Sequence, residues 1–217
     1  NDELYGDYKM YDLNGKLIST RKNAGGATYG PLEKFTFQGM KYYEGTYYEN
    51  KNNGPEKYFG SNNELLLTIN YYDGTPYSYQ KNQDATPTPL KNETTLIVAN
   101  YKDGKPGLEI SFKNGEQTSN YKLYHQKDTL LSTSQFVDGY LEGERKNYGD
   151  DGKIYSVENF KNGDYHGKRE IYYPNGKVKI VAHYSNDFLH GNYQEFSDTG
   201  KLLMTKVYNN GVLIENK

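Results

Sequence analysis

A 24-residue period runs through this sequence and constrains the fold more than any other feature. Glycines mark the period in two series, Gly6, Gly30, Gly54 and Gly143, Gly167, Gly191. A fixed period of this length is typical of proteins in which each repeat packs on its neighbours. Dividing the 217 residues by 24 predicts about nine units.

Two positions of the unit are almost always aromatic. Counted from each glycine as position zero, position 5 is Tyr11, Phe35, Phe59, Tyr124, Tyr148, Tyr172 or Phe196, and position 17 is Asn23, Tyr47, Tyr71, Phe136, Phe160, Tyr184 or Tyr208. Thirteen of these fourteen residues are aromatic, whereas an aromatic content of 15% predicts about two. The pattern indicates two rows of rings that we expect to form the core.

Two further positions carry turn residues. Every residue at positions 9 and 20 is Gly, Asn or Asp, the types that tolerate a positive φ: Gly15, Gly39, Asn63, Asp128, Gly152, Gly176 and Gly200 at position 9, and Gly26, Asn50, Gly74, Gly139, Gly163, Asp187 and Gly211 at position 20. Several belong to Asn-Gly or Asp-Gly pairs, a strong hairpin signal. Two turns per unit leave two strands of about seven or eight residues.

Within the strands, side chains alternate between apolar and mixed with a period of two. In the unit of Gly167, positions 5, 11, 13 and 17 are Tyr172, Val178, Ile180 and Tyr184. We expect these four positions to share one buried face, and the even positions to share the other. The fold class predicted is therefore all-β, an elongated antiparallel β-meander of tandem 24-residue hairpin repeats in a single-layer sheet.

The repeat is interrupted once. Residues 75–95 lack the pattern and contain Pro76, Pro87 and Pro89, which cannot donate to a sheet ladder. This predicts three parts: an N-terminal array at 1–74, an irregular loop or hinge at 75–95 that could bend the ribbon, and a C-terminal array at 96–217. The unit after the loop, with Gly104, is expected to be shortened and one residue out of register.

Composition excludes several partners. The net charge is −2 and no long run of Lys or Arg occurs, which argues against nucleic acid. No stretch of about 18 apolar residues exists, so no transmembrane segment is expected. The chain starts at Asn1 rather than Met, which a removed signal peptide or a shortened chain would explain. Export to the periplasm or cell surface is favoured over the cytoplasm.

Catalytic and metal-binding patterns are weak. His166 and His190 are one unit apart, so about 10 Å should separate them, too far to share a zinc ion. The acidic pair Asp150-Asp151 belongs to a turn, where Asp caps its own backbone. No phosphate-binding loop or nucleophile elbow occurs, and the chain has no Cys. We therefore predict no enzyme activity, no catalytic or metal site and no cofactor.

The segment NGDYHGKREIYYPNGKV, residues 162–178, resembles the bacterial variant of the MORN repeat. That family's pattern is N-G-x-x-x-G-x-x-x-x-Y-x-x-x-G-K at about this period, and weaker copies surround Gly143 and Gly191. Such proteins are often labelled YwqK-type antitoxin components. The resemblance implies a β-ribbon used for binding, without catalytic residues. The chain has no Trp, which the eukaryotic MORN repeat places at an aromatic position.

The function predicted is a non-catalytic module for protein–protein interaction or scaffolding. Exposed Tyr among charged residues is typical of binding surfaces, so the Tyr residues at even positions form the candidate face: Tyr8, Tyr42, Tyr58, Tyr121, Tyr155, Tyr173 and Tyr193. A partner strand could also add at an open sheet edge, either from another protein or from a second copy as a homo-oligomer. The alternative is a glycan-binding module at a cell surface or wall.

Overall fold

The structure, a computed structural model, describes residues 5–12 and 15–216. Asn1, on which the expectation of export rests, lies outside these residues. The described chain contains strands and turns without a helix, and it divides into two compact bodies, Asn1–Glu116 and Gln117–Lys217. The prediction of an all-β fold built from successive antiparallel hairpins is confirmed.

The N-terminal body holds a nine-stranded antiparallel sheet and one further hairpin. The sheet follows chain order except that the short β5 pairs with β4 beside the main path. Its strands are β1 (Gly6–Tyr11), β2 (Leu17–Ala24), β3 (Ala27–Phe35), β4 (Lys41–Tyr48), β5 (Lys51–Asn52), β6 (Gly54–Phe59), β7 (Leu65–Tyr72), β8 (Thr75–Lys81) and β9 (Thr88–Pro89). The further hairpin consists of β10 (Thr95–Asn100) and β11 (Pro106–Lys113).

The C-terminal body is a meander in chain order, with a short two-stranded ladder of β14 and β15 beside it. Its strands are β12 (Glu116–Tyr124), β13 (Leu130–Ser134), β14 (Phe136–Val137), β15 (Tyr140–Leu141), β16 (Gly143–Tyr148), β17 (Ile154–Lys161), β18 (Asp164–Tyr172), β19 (Val178–Ser185), β20 (Phe188–Phe196), β21 (Leu202–Asn209) and β22 (Val212–Asn216).

Both predicted turns recur with constant geometry. In the first, the N–H of position 6 donates to the C=O of position 10 at 2.7–2.9 Å, and the residue at position 9 has a positive φ. This is a type I turn followed by a bulge residue. In the second, two residues with positive φ, such as Asn162 and Gly163, join the strands directly, as in a type I′ turn. Eight copies of each turn occur within residues 5–12 and 15–216, so the described chain has eight units rather than nine.

The backbone conformation at position zero explains why that residue is a glycine. Gly167 has a φ of 89° and pairs directly with Tyr184, the aromatic residue at position 17. In five other units position zero likewise pairs with position 17 and has a positive φ. Residues other than glycine rarely adopt that backbone conformation. Opposite it, the preceding strand shifts register between Glu158 and Phe160, so the glycine forms part of a β-bulge.

A second bulge overturns the predicted arrangement of faces. Ile171 pairs with Ile180, but Tyr172 pairs with Val178, because the register shifts between them. Adjacent strand residues point to opposite faces, so Tyr172 lies away from Ile171, which is 1% exposed. Positions 5 and 11 therefore share one face, and positions 13 and 17 share the other. The prediction that all four share a face was wrong.

We call the face that carries positions 2, 4, 13, 15 and 17 the inner face, and the face that carries positions 1, 3, 5, 11, 14 and 16 the outer face. The inner face holds most of the buried apolar side chains. Those of the C-terminal body are Tyr121, Leu123, Phe160, Ile171, Ile180 and Ala182.

The segment 75–95 is more ordered than the sequence indicated. Thr75–Lys81 form β8, which pairs with β7 along its length, so the prediction of an irregular loop was wrong for these residues. Pro89 lies on the edge strand β9, where no ladder hydrogen bond is required of its nitrogen. The division into arrays ending at 74 and starting at 96 stays a prediction.

The unit after this segment is complete. Thr95 pairs with Phe112 as position zero pairs with position 17 elsewhere, and Gly104 stands at position 9. The prediction of a shortened, shifted unit was therefore wrong. Its hairpin packs on β7, so this part of the N-terminal body is not a single layer. Tyr101 is fully buried there, and Gly60 admits it, since a Cβ at Gly60 would lie 2.2 Å from a Tyr101 ring carbon.

Candidate binding surface

The seven tyrosines predicted to bind a partner do not share one face. Tyr58 and Tyr121 are buried on the inner face, at 5% and 8% exposed, so they are not available to a partner. Tyr8 and Tyr193 stand at the same position as Tyr121 and are half-buried. Tyr8 stacks against Arg21, and the Tyr193 hydroxyl donates to a Glu195 carboxylate oxygen at 2.7 Å.

The remaining three lie near the first turn. Tyr42 and Tyr155 occupy position 12, the extra residue of the bulge, and Tyr173 occupies position 6. The Tyr173 hydroxyl donates to the Phe196 carbonyl at 2.8 Å, which ties one turn to the next. The structure therefore does not bring the predicted set together. Their role in binding stays a prediction for the five that are not buried.

Sequence reasoning missed a different row of side chains. Positions 5 and 11 pair directly across the first hairpin of each unit on the outer face. We call the eight such residues of the C-terminal body the outer row: Tyr124, Leu130, Tyr148, Ile154, Tyr172, Val178, Phe196 and Leu202. A signal was present, since adjacent apolar residues such as Ile171-Tyr172 imply that both faces are apolar there.

The outer row is apolar and accessible to solvent. Ile154 is 38% exposed and Leu202 is 47% exposed, and the other six are half-buried. At about 4.8 Å per strand, eight strands carry the row over about 34 Å. An aromatic and an aliphatic side chain alternate along it, so a partner would meet a continuous apolar strip.

Charged and polar side chains border this strip on the outer face. The Glu170 carboxylate accepts a hydrogen bond from the Tyr172 hydroxyl at 3.2 Å and forms an ion pair with Lys168 at 3.1 Å. Partial burial and the Glu170 carboxylate raise the pKa of Tyr172 to about 12, so its hydroxyl stays a donor at neutral pH. Lys146 pairs with Glu144 at 2.7 Å. The border therefore carries charges of both signs that are already matched.

The inner face of the same body carries a buried ion triad. The Glu158 carboxylate, 3% exposed, forms ion pairs with Arg145 at 2.6 Å and with Arg169 at 2.8 Å. The two arginines lie on the two neighbouring strands. Burial alone would raise the pKa of Glu158, but the charges and hydrogen bonds of the two arginines outweigh it and hold that pKa below its usual value. The arginines also lie over the rings of Phe160 and Tyr165. All the partners of the Glu158 carboxylate named here lie within the sheet, which indicates a structural role.

The N-terminal body buries a carboxylate in a different setting. Glu56, 4% exposed, accepts hydrogen bonds from the hydroxyls of Tyr43 and Tyr58 and from the Asn52 amide, at 2.5, 3.1 and 2.5 Å. Burial raises the pKa of Glu56, although these hydrogen bonds and the charge of Lys34 oppose that shift.

Metal-ligating residues do not cluster in the part of the chain that is described. No group of three His, Cys, Asp or Glu side chains there could hold an ion. The His190 ring on β20 contacts the side chain of Asn210, in the turn between β21 and β22, at 3.1 Å. A membrane-spanning helix is likewise absent from residues 5–12 and 15–216.

Four segments of the chain match a known repeat family, the MORN repeat variant. They are residues 4–21, 141–162, 165–186 and 189–214. Each match starts two residues before a position-zero glycine, so the MORN unit and the structural unit are in phase. Three of the MORN segments lie in the C-terminal body, which carries the outer row.

The matches to the MORN repeat suggest that the chain is a repeat module for binding or scaffolding. The MORN repeat family is generally not catalytic. No curated protein matches the chain with significance.

Proposed function

We propose that the chain is a non-catalytic protein-binding module and that its partner lies across the outer row of the C-terminal body. The observation that carries this proposal is the strip of eight apolar side chains on the face opposite the buried ion triad. An accessible apolar strip with a polar border is the usual composition of a protein interface.

The chemistry of the strip favours a protein over other partners. At positions 1 and 3 beside the strip, Lys146 pairs with Glu144 and Lys168 pairs with Glu170, so these matched charges give that border little attraction for a polyanion. The strip repeats the same few residue types along one axis, whereas a catalytic site needs unlike groups that converge in a pocket. A toxin, as the antitoxin label implies, would be one such protein partner.

The test compares substitutions on and off the strip. A double variant, Ile154→Lys with Leu202→Lys, places charges on two exposed residues of the outer row, so the fold should tolerate them. Phe188→Lys is the matched control, since Phe188 is 58% exposed and lies outside the row. A partner captured from the cell extract with the wild type should bind the double variant at least about tenfold more weakly, as expected for contacts near the centre of an interface.

Equal affinity of the double variant and the wild type would overturn the assignment to the outer row. A glycan array run beside the capture tests the alternative of a glycan-binding module. Selective binding of one sugar class, with no protein captured, would replace the proposal by that alternative.

A further inference from the structure

The strand β10 stands out among strands that pair on one side only. Four strands end the pairing orders of the larger sheets, β1, β9, β10 and β22. β1 carries Asp7 and Lys9, β9 ends in Pro89, and β22 carries Glu215. β10, with the sequence TLIVAN, contains neither a charge nor a proline. Charges and prolines are the usual means of preventing an edge from pairing, so β10 lacks that protection.

The side chains of β10 are apolar on both faces. Ile97 and Ala99 are buried on the inner face, at 2% and 0% exposed, where β10 packs near β7. On the outer face Leu96 and Val98 are 58% and 41% exposed. A strand that paired with β10 would cover these two side chains and would satisfy the backbone groups of its open edge.

We propose that the open edge of β10 pairs with β10 of a second copy of this chain, antiparallel and across a two-fold axis. In such a pair residue i faces residue j of the other copy and residue j faces residue i, so the edge must complement itself, as a row of uncharged apolar side chains does in any register. Among the four terminal strands, β10 meets this condition. Leu96 and Val98 of one copy then contact those of the other on the outer face.

This surface is separate from the outer row, so self-association and binding of another protein can be tested independently. The wild type should show a concentration-dependent dimer by sedimentation or light scattering. In hydrogen exchange, amides of β10 should become protected on dimerisation. A wild type that stays monomeric up to about 1 mM, the weak end of the range of specific affinities, would overturn the proposal.

Substitution of Val98 tests the contact directly. Val98→Lys should abolish the dimer, because the two introduced charges lie close together across the axis. The fold should tolerate it, since Val98 is exposed and pairs with Glu109 on β11. Leu203→Lys is the control, because Leu203 is 61% exposed on β21, a strand paired on both sides. A dimer that survives Val98→Lys, or that Leu203→Lys disrupts equally, contradicts the assignment.

A mixture of charge variants separates self-pairing from capture of a foreign strand. Val98→Lys and Val98→Glu should each be monomeric alone and should form a mixed dimer when combined, because opposite charges then meet across the axis. Failure of the mixture to dimerise, in variants whose circular dichroism matches the wild type, would show that the edge does not pair with its own copy.

Discussion

The two bodies of the chain each bury a glutamate in the same row of the inner face, and they surround it with different partners. Glu56 stands at position 2 and Glu158 at position 15, and these positions face each other in one row of the inner face. Glu158 meets two arginines, whereas Glu56 meets tyrosine hydroxyls and an amide. The pKa of Glu158 is lowered, and that of Glu56 is raised. The repeat therefore fixes where a buried carboxyl lies, while its neighbours decide whether the charge is favourable.

The largest effect is expected where the charge is paired. Glu158→Gln leaves the buried Arg169 and the half-buried Arg145 without a counter-ion, which should lower the free energy of unfolding by about 3–5 kcal/mol. Urea denaturation at pH 7, followed by circular dichroism, measures this. Glu144→Gln is the control, since its pair with Lys146 is exposed and should contribute less than about 1 kcal/mol. Equal losses in the two variants would contradict a structural role for the triad.

A smaller effect is expected from crowding the tyrosines around Glu56. Gly45 has an ordinary φ, but a Cβ there would lie 2.6 Å from the Tyr43 hydroxyl. Gly45→Ala should therefore push Tyr43 off Glu56 and cost about 1–3 kcal/mol, as overpacking does. The double variant with Tyr43→Phe removes the clashing oxygen, so the two losses should not add. Additive losses in urea denaturation would show that the hydroxyl is not what Gly45 accommodates.

Glu56 itself should tolerate loss of its charge. Because burial raises its pKa, the ionised form is the costly one. In Glu56→Gln the side-chain oxygen can still accept from the Tyr43 hydroxyl, and the new NH2 group can donate to the Tyr58 hydroxyl, which is able to accept. We expect a change in unfolding free energy of less than about 1 kcal/mol at pH 7. A loss as large as that of Glu158→Gln would mean that the two sites stabilise the sheet in the same way.

The two glutamates should also respond oppositely to acid. A lowered pKa in the folded state gives Glu158 a contribution that is present above the ordinary value of 4.5 and is lost as the pH falls through the lowered pKa. A raised pKa gives Glu56 the reverse sign, so its protonation stabilises the folded state as the pH falls towards 4.5.

Hydrogen exchange of peptides from each body, measured across this range, tests the difference. Glu158→Gln should flatten the loss of protection in the C-terminal body at low pH, and Glu56→Gln should flatten the opposite trend in the N-terminal body. Parallel pH responses of the two single variants would contradict the contrast.

The sequence predicted the hairpins well because turn chemistry is local. Gly176 and Gly163 adopt the positive φ that their positions required, and the alternating strands followed. It failed at the faces, because the register shift between Ile171 and Tyr172 depends on how the strands pair, and the adjacent apolar residues there only indicate that both faces are apolar. The buried Glu158 escaped notice for a similar reason, since Arg145 and Arg169 lie 13 and 11 residues away from it and meet it only across the sheet.

The order of strands in the C-terminal body has a mechanical consequence. Each strand from β17 to β21 pairs with the strands immediately before and after it in the chain, and a turn of a few residues joins them. A force applied to the end of such a chain opens each ladder one hydrogen bond at a time, like a zipper, instead of shearing a whole strand at once. Every 24-residue unit released would lengthen the chain by about 80 Å. This body should therefore yield at low force in even steps, a behaviour suited to a tether that gives way gradually.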